Sequence, residues 1–415
     1  MRVLVVTDTL APSYGWGRYA IGLIRALRDE GADLRILSPL SRCTEPDLAS
    51  MPGHGSVTSY VSETRRMSRL VLANTLAIWR ASRDCDVVHC VTEPYSAPAA
   101  VAGLVGLRRP LVVTVHGTYA VRPFRRPGAR PWYELGYGRA NRLVAVSRYT
   151  RDRLPSRFAS RTVIVPEGVE HERFATASHA TSTALSGLDP QHHSTTPHDE
   201  NTLRLARPIA PPDENTLRHP GRDGNGEMPY LLSVGPVKRR NGYQTTIEAF
   251  AELRRVRPNL EYWIVGGTDD PVFLTSLRAT IARLGLGDAV RFLGRVDEAT
   301  LVGLYHGCMF FWLLPEDDGE QFHGFGLVYW EANACGRPVI GASDSGAGDA
   351  IEDGTNGLLI RSARVDEAVS AARRLIDSPE LRERLGKAGI THAKPWRDAA
   401  VQMMGVYRDV RADRA

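Results

Sequence analysis

Residues 321–341 read QFHGFGLVYWEANACGRPVIG. Two glycines bracket an aromatic in Gly324-Phe325-Gly326, and an apolar run then passes through Glu331 to Ala334. Gly336 and Pro338 interrupt it before Val339 and Ile340. This order predicts a glycine-rich loop opening a helix, a helix end at Gly336 and a short strand from Val339. Glycines ahead of a helix let a ligand approach bare backbone amides, and the positive end of the helix dipole favours an anion there. Glu331 falls about two helical turns after His323, a spacing that puts both on one side of the helix. A carboxylate so placed can hold a vicinal diol such as a ribose. It can equally belong to a buried helix that gives it a structural partner, and the residues alone leave both readings open.

Outward from this stretch, strands and helices alternate. In the second half, strand-like runs at 230–235, 260–265, 290–293, 308–314 and 339–340 are separated by helical patterns, such as Ile247, Phe250 and Leu253. The first half begins with a strand at 3–6 and a loop carrying Gly15-Trp16-Gly17-Arg18. A helical period through Ile21, Leu23, Ile24 and Leu27 follows, and Gly31 ends it. Further strands fall at 34–37, 86–91, 110–115, 143–146 and 162–165, with a helix at 68–81. This is the pattern of two Rossmann-like α/β domains. No GxGxxG with a downstream acid appears, so a dinucleotide cofactor is not expected. Gly15 and Gly17 suit tight turn geometry, close approach of a ligand, or both. Ligands of open α/β sheets gather beyond the carboxyl ends of strands, which makes His116 a candidate; its alternative is a structural hydrogen bond at a strand end. His89 ends a similar strand and suits a core or supporting role.

The run GFGLVYWEANACGRPVI at 324–340 resembles the donor-binding signature of family-four retaining glycosyltransferases, in which one Glu precedes GFG and a second follows. Glu331 stands at the second position and His323 at the first. Gly15 and Gly17 are similar to the family's glycine-rich loop, and Pro166-Glu167-Gly168-Val169-Glu170 partly resembles the turn closing its first domain. The resemblance spans nearly the whole chain and implies the GT-B fold, two Rossmann-like domains facing across a cleft. It implies an acceptor domain at 1–174, a nucleotide-sugar domain at 228–394, and a segment at 395–415 crossing back to the first domain. Trp396, Val401, Met404 and Val406 give that last segment an amphipathic helical period.

By the same resemblance the backbone amides around Gly324, Phe325, Gly326, Leu327 and Val328 meet the sugar and diphosphate, Glu331 the ribose, and the 294–296 turn with Arg295 the base. His116 and His323 stand near the transferred sugar. The co-substrate is a UDP-, GDP-, ADP- or dTDP-sugar, with no other cofactor and no metal. The resemblance further implies that the anomeric configuration is kept, by same-face attack in which the departing phosphate takes the acceptor proton. Three positions depart from the pattern. The phosphate-binding Arg is Pro236, the Lys before the helix glycine is Asn241, and the first Glu is His323. Lys238, Arg239 and Arg240 lie beside the first two, and a shift of one residue puts Arg240 in the Lys role. Glu320 can fold in near His323. These departures keep other classes open: an impaired sugar-nucleotide-binding relative, a phosphorylase or a sugar-nucleotide epimerase.

A chain of 415 residues suits two domains, and 43% hydrophobic with 24% charged residues describes an ordinary globular protein. Five cysteines, odd in number and without metal-ligand clustering, fit a reduced cytoplasmic protein. The first residues, MRVLVVTDT, read as a strand rather than a signal peptide, and no stretch is apolar enough to span a bilayer. Residues 1–170 hold 24 arginines against 14 acids, and 122–161 hold 11 against 2. Arg122, Arg125, Arg126 and Arg130 therefore suit an anionic acceptor, peripheral contact with an anionic membrane, or a solvated surface. Nothing resembles a nucleic-acid-binding module. From 175 to 227 Ser, Thr, His, Pro and Asp dominate, and DENTLR recurs at 199–204 and 213–218. Without apolar periodicity this segment reads as a linker insertion.

Overall fold

The structure, a computed structural model, describes residues 1–51, 53–59, 67–106, 109–175, 229–268, 270–319 and 321–413. The insertion beyond residue 175, both DENTLR copies and Glu320 lie outside the described residues. Strands β1 (Arg2–Val6), β2 (Asp33–Ser38), β3 (Gly55–Ser56), β4 (Val87–Cys90), β5 (Leu111–Val115), β6 (Arg142–Ala145) and β7 (Thr162–Ile164) form one parallel sheet in the order β3-β2-β1-β4-β5-β6-β7. Strands β8 (Tyr230–Val234), β9 (Glu261–Val265), β10 (Val290–Gly294), β11 (Phe311–Trp312), β12 (Val339–Ala342) and β13 (Gly357–Ile360) form a second, ordered β10-β9-β8-β11-β12-β13. Every residue of β4, β5, β8 and β9 is buried, as helices on both faces of a parallel sheet require.

The helix Gly15–Asp29 buries Tyr19, Leu23, Ile24 and Leu27. It stops at Gly31, whose left-handed φ of 81° lets its N–H reach Arg28 O at 2.9 Å and the Ala32 N–H reach Leu27 O at 3.0 Å. Two details differ from the sequence reading. The strand expected at 308–314 is only Phe311–Trp312, because after the Leu313 N–H bonds Ile340 O the chain turns out into a loop. The edge strand Gly55–Ser56 is too short to carry a periodic signal.

Strand order reverses between β1 and β4 in the first sheet and between β8 and β11 in the second, and crevices at such points are where ligands bind. The helix Trp396–Ala412 returns to the first domain. There the Tyr407 hydroxyl pairs with His89 Nδ1 at 2.6 Å, and Thr114 Oγ1 pairs with His89 Nε2 at 2.7 Å. His89 is thus a core group, held neutral by burial that pushes its pKa down to about 3. Among the described residues, no helix is long and apolar enough to cross a membrane.

Candidate active site

The helix Leu327–Ala334 opens after Gly326, which takes a left-handed φ of 92° and, as a glycine, offers its first amides no side-chain cap. It closes at Gly336 (φ 70°), with the Gly336 N–H on Asn333 O at 2.8 Å and the Arg337 N–H on Ala332 O at 3.0 Å. Phe325 is buried edge-on to Trp330 at 4.8 Å, so it anchors the loop in its own domain instead of facing the cleft. The loop backbone meets the first domain directly. A Cβ at Gly324 would stand 1.8 Å from His116 O, so only glycine permits this approach. Ser147 Oγ donates to Gly324 O, while Thr118 Oγ1 donates to Phe322 O at 2.8 Å and accepts the Phe322 N–H at 2.9 Å.

His116 sits at this seam. Its Nε2–H donates to Val91 O at 2.7 Å, its backbone N–H donates to Glu93 Oε1 at 2.7 Å, and its ring meets Tyr19 edge-on at 4.4 Å. Burial pushes its pKa down to about 4, so the neutral ring keeps Nδ1 as an acceptor. Two carboxyls close by are pushed up: Glu93 to about 7 by burial, and Glu167 to about 8 by burial and then by Glu331. His323 lies in the loop rather than on the helix, which begins at Leu327, so the expected shared helix side with Glu331 is not formed. Burial first, then Arg240, push the His323 pKa down to about 3, and among the described residues its buried Nδ1 has no hydrogen-bond partner.

Of the three basic residues beside the altered positions, Arg240 enters the seam. It reaches Thr118 Oγ1 at 3.3 Å, and its buried Nε has no partner among the described residues. Arg239 is exposed and lies over the Phe273 ring at 5.5 Å, away from the seam, and Lys238 is partly buried. Asn241 does not replace the Lys charge; its Nδ2 donates to Pro236 O at 2.7 Å and holds the turn.

Glu331 is buried, and both of its oxygens are engaged. Arg18 Nη1 donates to Oε1, and the Tyr305 hydroxyl donates to Oε2 at 2.8 Å. Arg18 also gives Nη2 to Glu298 Oε1 at 2.9 Å and Nε to Pro12 O at 2.8 Å. Pro12, Arg18, Glu298 and Glu331 line a cavity of about 260 Å³ that also meets Leu327 and Trp396. Neither Gly15 nor Gly17 makes a turn of positive φ; both lie in the first turn of the helix Gly15–Asp29. A Cβ on Gly17 would stand 2.0 Å from Ala11 O, whereas Gly15 faces open space. Arg295 reaches Ser13 O at 3.4 Å across the seam. Among the surface arginines, Arg125 donates to Gly319 O, and Arg130 pairs with Glu134 at 2.8 Å. Burial lowers the pKa of Arg240 and Arg122 nearby adds to it, while Arg126 follows in the same short segment. Sequence reasoning missed Arg18, Glu298, Tyr305 and Glu93. Of these, Arg18 alone stood in a quoted motif, directly after Gly17.

Residues 14–173 match the model described as Glycosyltransferase Family 4, and residues 219–392 match that of Glycosyl transferases group 1. The chain belongs to the family-four glycosyltransferases. It is an enzyme of sugar transfer with the GT-B fold. A GDP-mannose-dependent alpha-(1-6)-phosphatidylinositol monomannoside mannosyltransferase of Mycolicibacterium smegmatis is 27% identical, over 71% of this chain and 69% of that one. A D-inositol 3-phosphate glycosyltransferase of Thermobifida fusca is 32% identical over 43% of this chain and 42% of its own length. The structure of Anabaena HepE in complex with UDP and glucose shares the fold, with a TM-score of 0.71 at 16% identity over 99% of this chain and 100% of that chain.

Proposed function

We propose that this glycosyltransferase moves a sugar from a nucleotide-sugar donor to a small-molecule, glycan or glycolipid acceptor, with retention of anomeric configuration and without a metal ion. The observation that carries the reading is a convergence at the seam. The N-terminal amides of the helix Leu327–Ala334, which opens on a glycine, and the buried guanidinium of Arg240 lie between the two switch points, where a diphosphate is stabilised by both. In this reading Arg240 and Lys238 supply the positive charge that Pro236 and Asn241 lack, so the leaving diphosphate is neutralised by side chains. Glu331 accepts ribose hydroxyls, oriented by Tyr305, and the 294–296 turn with Arg295 meets the base. His323 hydrogen-bonds the transferred sugar, and His116 stands where sugar and acceptor meet. Retention follows if the acceptor attacks from the face the diphosphate leaves, which demands positioning more than acid–base groups. Arg122 and Arg126 serve an anionic acceptor, a class that the lipid and inositol phosphate acceptors named for the relatives support.

A shift in melting temperature across UDP, GDP, ADP and dTDP identifies the nucleoside, because ligand binding raises apparent stability by mass action. Glu331→Gln then tests the site. Charge-assisted hydrogen bonds to two hydroxyls are lost, and nucleotide affinity falls by roughly tenfold or more. His323→Ala spares nucleotide affinity and lowers transfer. Because Arg18 pairs with the same carboxylate, the donor assignment is refuted if, with Arg18 also replaced by Gln, a folded Glu331→Gln protein binds nucleotide as well as Arg18→Gln alone. The three altered positions favour one rival, a protein that binds sugar nucleotide without turning it over. Release of free nucleotide on addition of acceptor excludes it.

A further inference from the structure

Glu331 presents a conflict between its place and its surroundings. Tyr305 belongs to the same domain and stays with Glu331 in any arrangement of the two domains. Arg18 belongs to the other domain, 313 residues away in sequence, and covers Oε1 only when the domains meet. Its guanidinium is fully used in that position: Nε on Pro12 O at 2.8 Å, Nη1 on Glu331 and Nη2 on Glu298 at 2.9 Å. Arg173 extends the chain of charge, lying against Glu298 and at 3.6 Å from Glu170. The Arg18 side chain is only 22% exposed and that of Glu331 only 3%, so solvent screens this pair weakly.

From this geometry we propose that Arg18 is a built-in competitor of the donor nucleotide. It occupies the carboxylate that the ribose needs, and a nucleoside diphosphate binds only after Arg18 lets go. The inference rests on the assignment of Glu331 to the ribose. When the domains part, Arg18 leaves with the first domain, Oε1 is bared, and Tyr305 keeps the carboxylate oriented for the diol. The closed, unliganded form then holds a reserve of sites that cannot take donor, and apparent affinity falls by the fraction so held. The competition also favours an order of events in which donor enters the open form before the domains close.

Isothermal titration of UDP and GDP against the full chain tests this. Arg18→Gln is expected to bind the accepted nucleotide roughly threefold to tenfold more tightly, because the competent fraction rises. Glu298→Gln, which frees one arm of Arg18 without touching Glu331, moves affinity in the same direction by less and carries the test if Arg18→Gln melts early. In a Glu331→Gln background Arg18→Gln changes nothing, since its effect passes through that carboxylate. Weaker binding by Arg18→Gln shows Arg18 to be a donor ligand and overturns the proposal; unchanged binding overturns it as well. The donor assignment is judged separately in the Arg18→Gln background, where no competitor remains. If Glu331→Gln fails to weaken nucleotide there, the ribose reading fails, whatever Arg18 does.

Discussion

Glu93 follows β4, fully buried, with Oε1 accepting the His116 amide and Oε2 without a partner among the described residues. Burial lifts its pKa from 4.5 to about 7, so the folded chain binds this proton more tightly than the unfolded one. Its stabilising contribution is complete below about pH 4.5 and is lost as pH rises through about 7. Glu93→Gln keeps an acceptor for the His116 amide and removes the charge. Melting curves are therefore expected to show little gain near pH 5 and a gain growing to about 1–3 kcal/mol above pH 7. An equal gain at both pH values contradicts the titration. His116 has the opposite sign: with a folded pKa near 4 against 6.5, it favours the folded state above pH 6.5 and loses that contribution as pH falls through about 4. At this scale the sequence marked Glu331, His323 and Gly324 because they share one short motif. It could not mark the partners of Glu331, since Arg18 lies 313 residues away and Tyr305 reads as an ordinary helix aromatic.

Elements announced themselves where physics acts locally. Gly31 and Gly336 both stop helices because each takes a positive φ, and each was legible as a stop from its place after an apolar period. Strands buried on both faces, β4, β5, β8 and β9, read as apolar runs. β11 read too long because Phe310, Leu313 and Leu314 on either side of it are as buried as the strand itself, and burial alone looks the same in sequence. The turn reading of Gly15 and Gly17 failed for a related reason. Two spaced glycines suggest a turn, but the constraint on Gly17 is the Ala11 carbonyl, a contact invisible along the chain. The loop before the helix Leu327–Ala334 gives the test at this scale. In Gly324→Ala the new methyl collides with His116 O, and the loop must withdraw from the first domain. Since a displacement of about an ångström costs on the order of 10²-fold in rate, transfer is expected to fall by that much. Nucleotide affinity, which depends on the second domain, should stay within about threefold of the parent. Parallel loss of both would show that the loop contact shapes the donor site itself.

Two kinds of contact join the domains, and they answer to different conditions. Across the cleft the seam is largely polar: Arg18 with Glu298 at 2.9 Å, Arg148 with Asp349 at 2.6 Å, Tyr149 with Asp317 at 3.1 Å, and Thr118 with Phe322. At the crossing helix it is apolar. Trp396 lies against Gly22 and Gly168, where added Cβ atoms would come within 2.2 and 2.4 Å of it, and its ring meets Tyr19 at 5.4 Å. Ala399, Ala400, Met403, Val406, Tyr407 and Val410 continue that buried face. Salt screens the exposed pairs of the first kind and leaves the second intact. Small-angle scattering of the unliganded chain should therefore show a radius that grows with salt while the melting transition stays single. Trp396→Ala acts on the other contact. Removing a buried Trp typically costs about 3–5 kcal/mol, and here the cavity opens between the crossing helix and the helix Gly15–Asp29. The expected outcome is a lowered first transition that separates from the second, with the first domain melting early. A single transition, lowered as a whole, would instead mean that the domains unfold together even without this dock, through the polar seam alone.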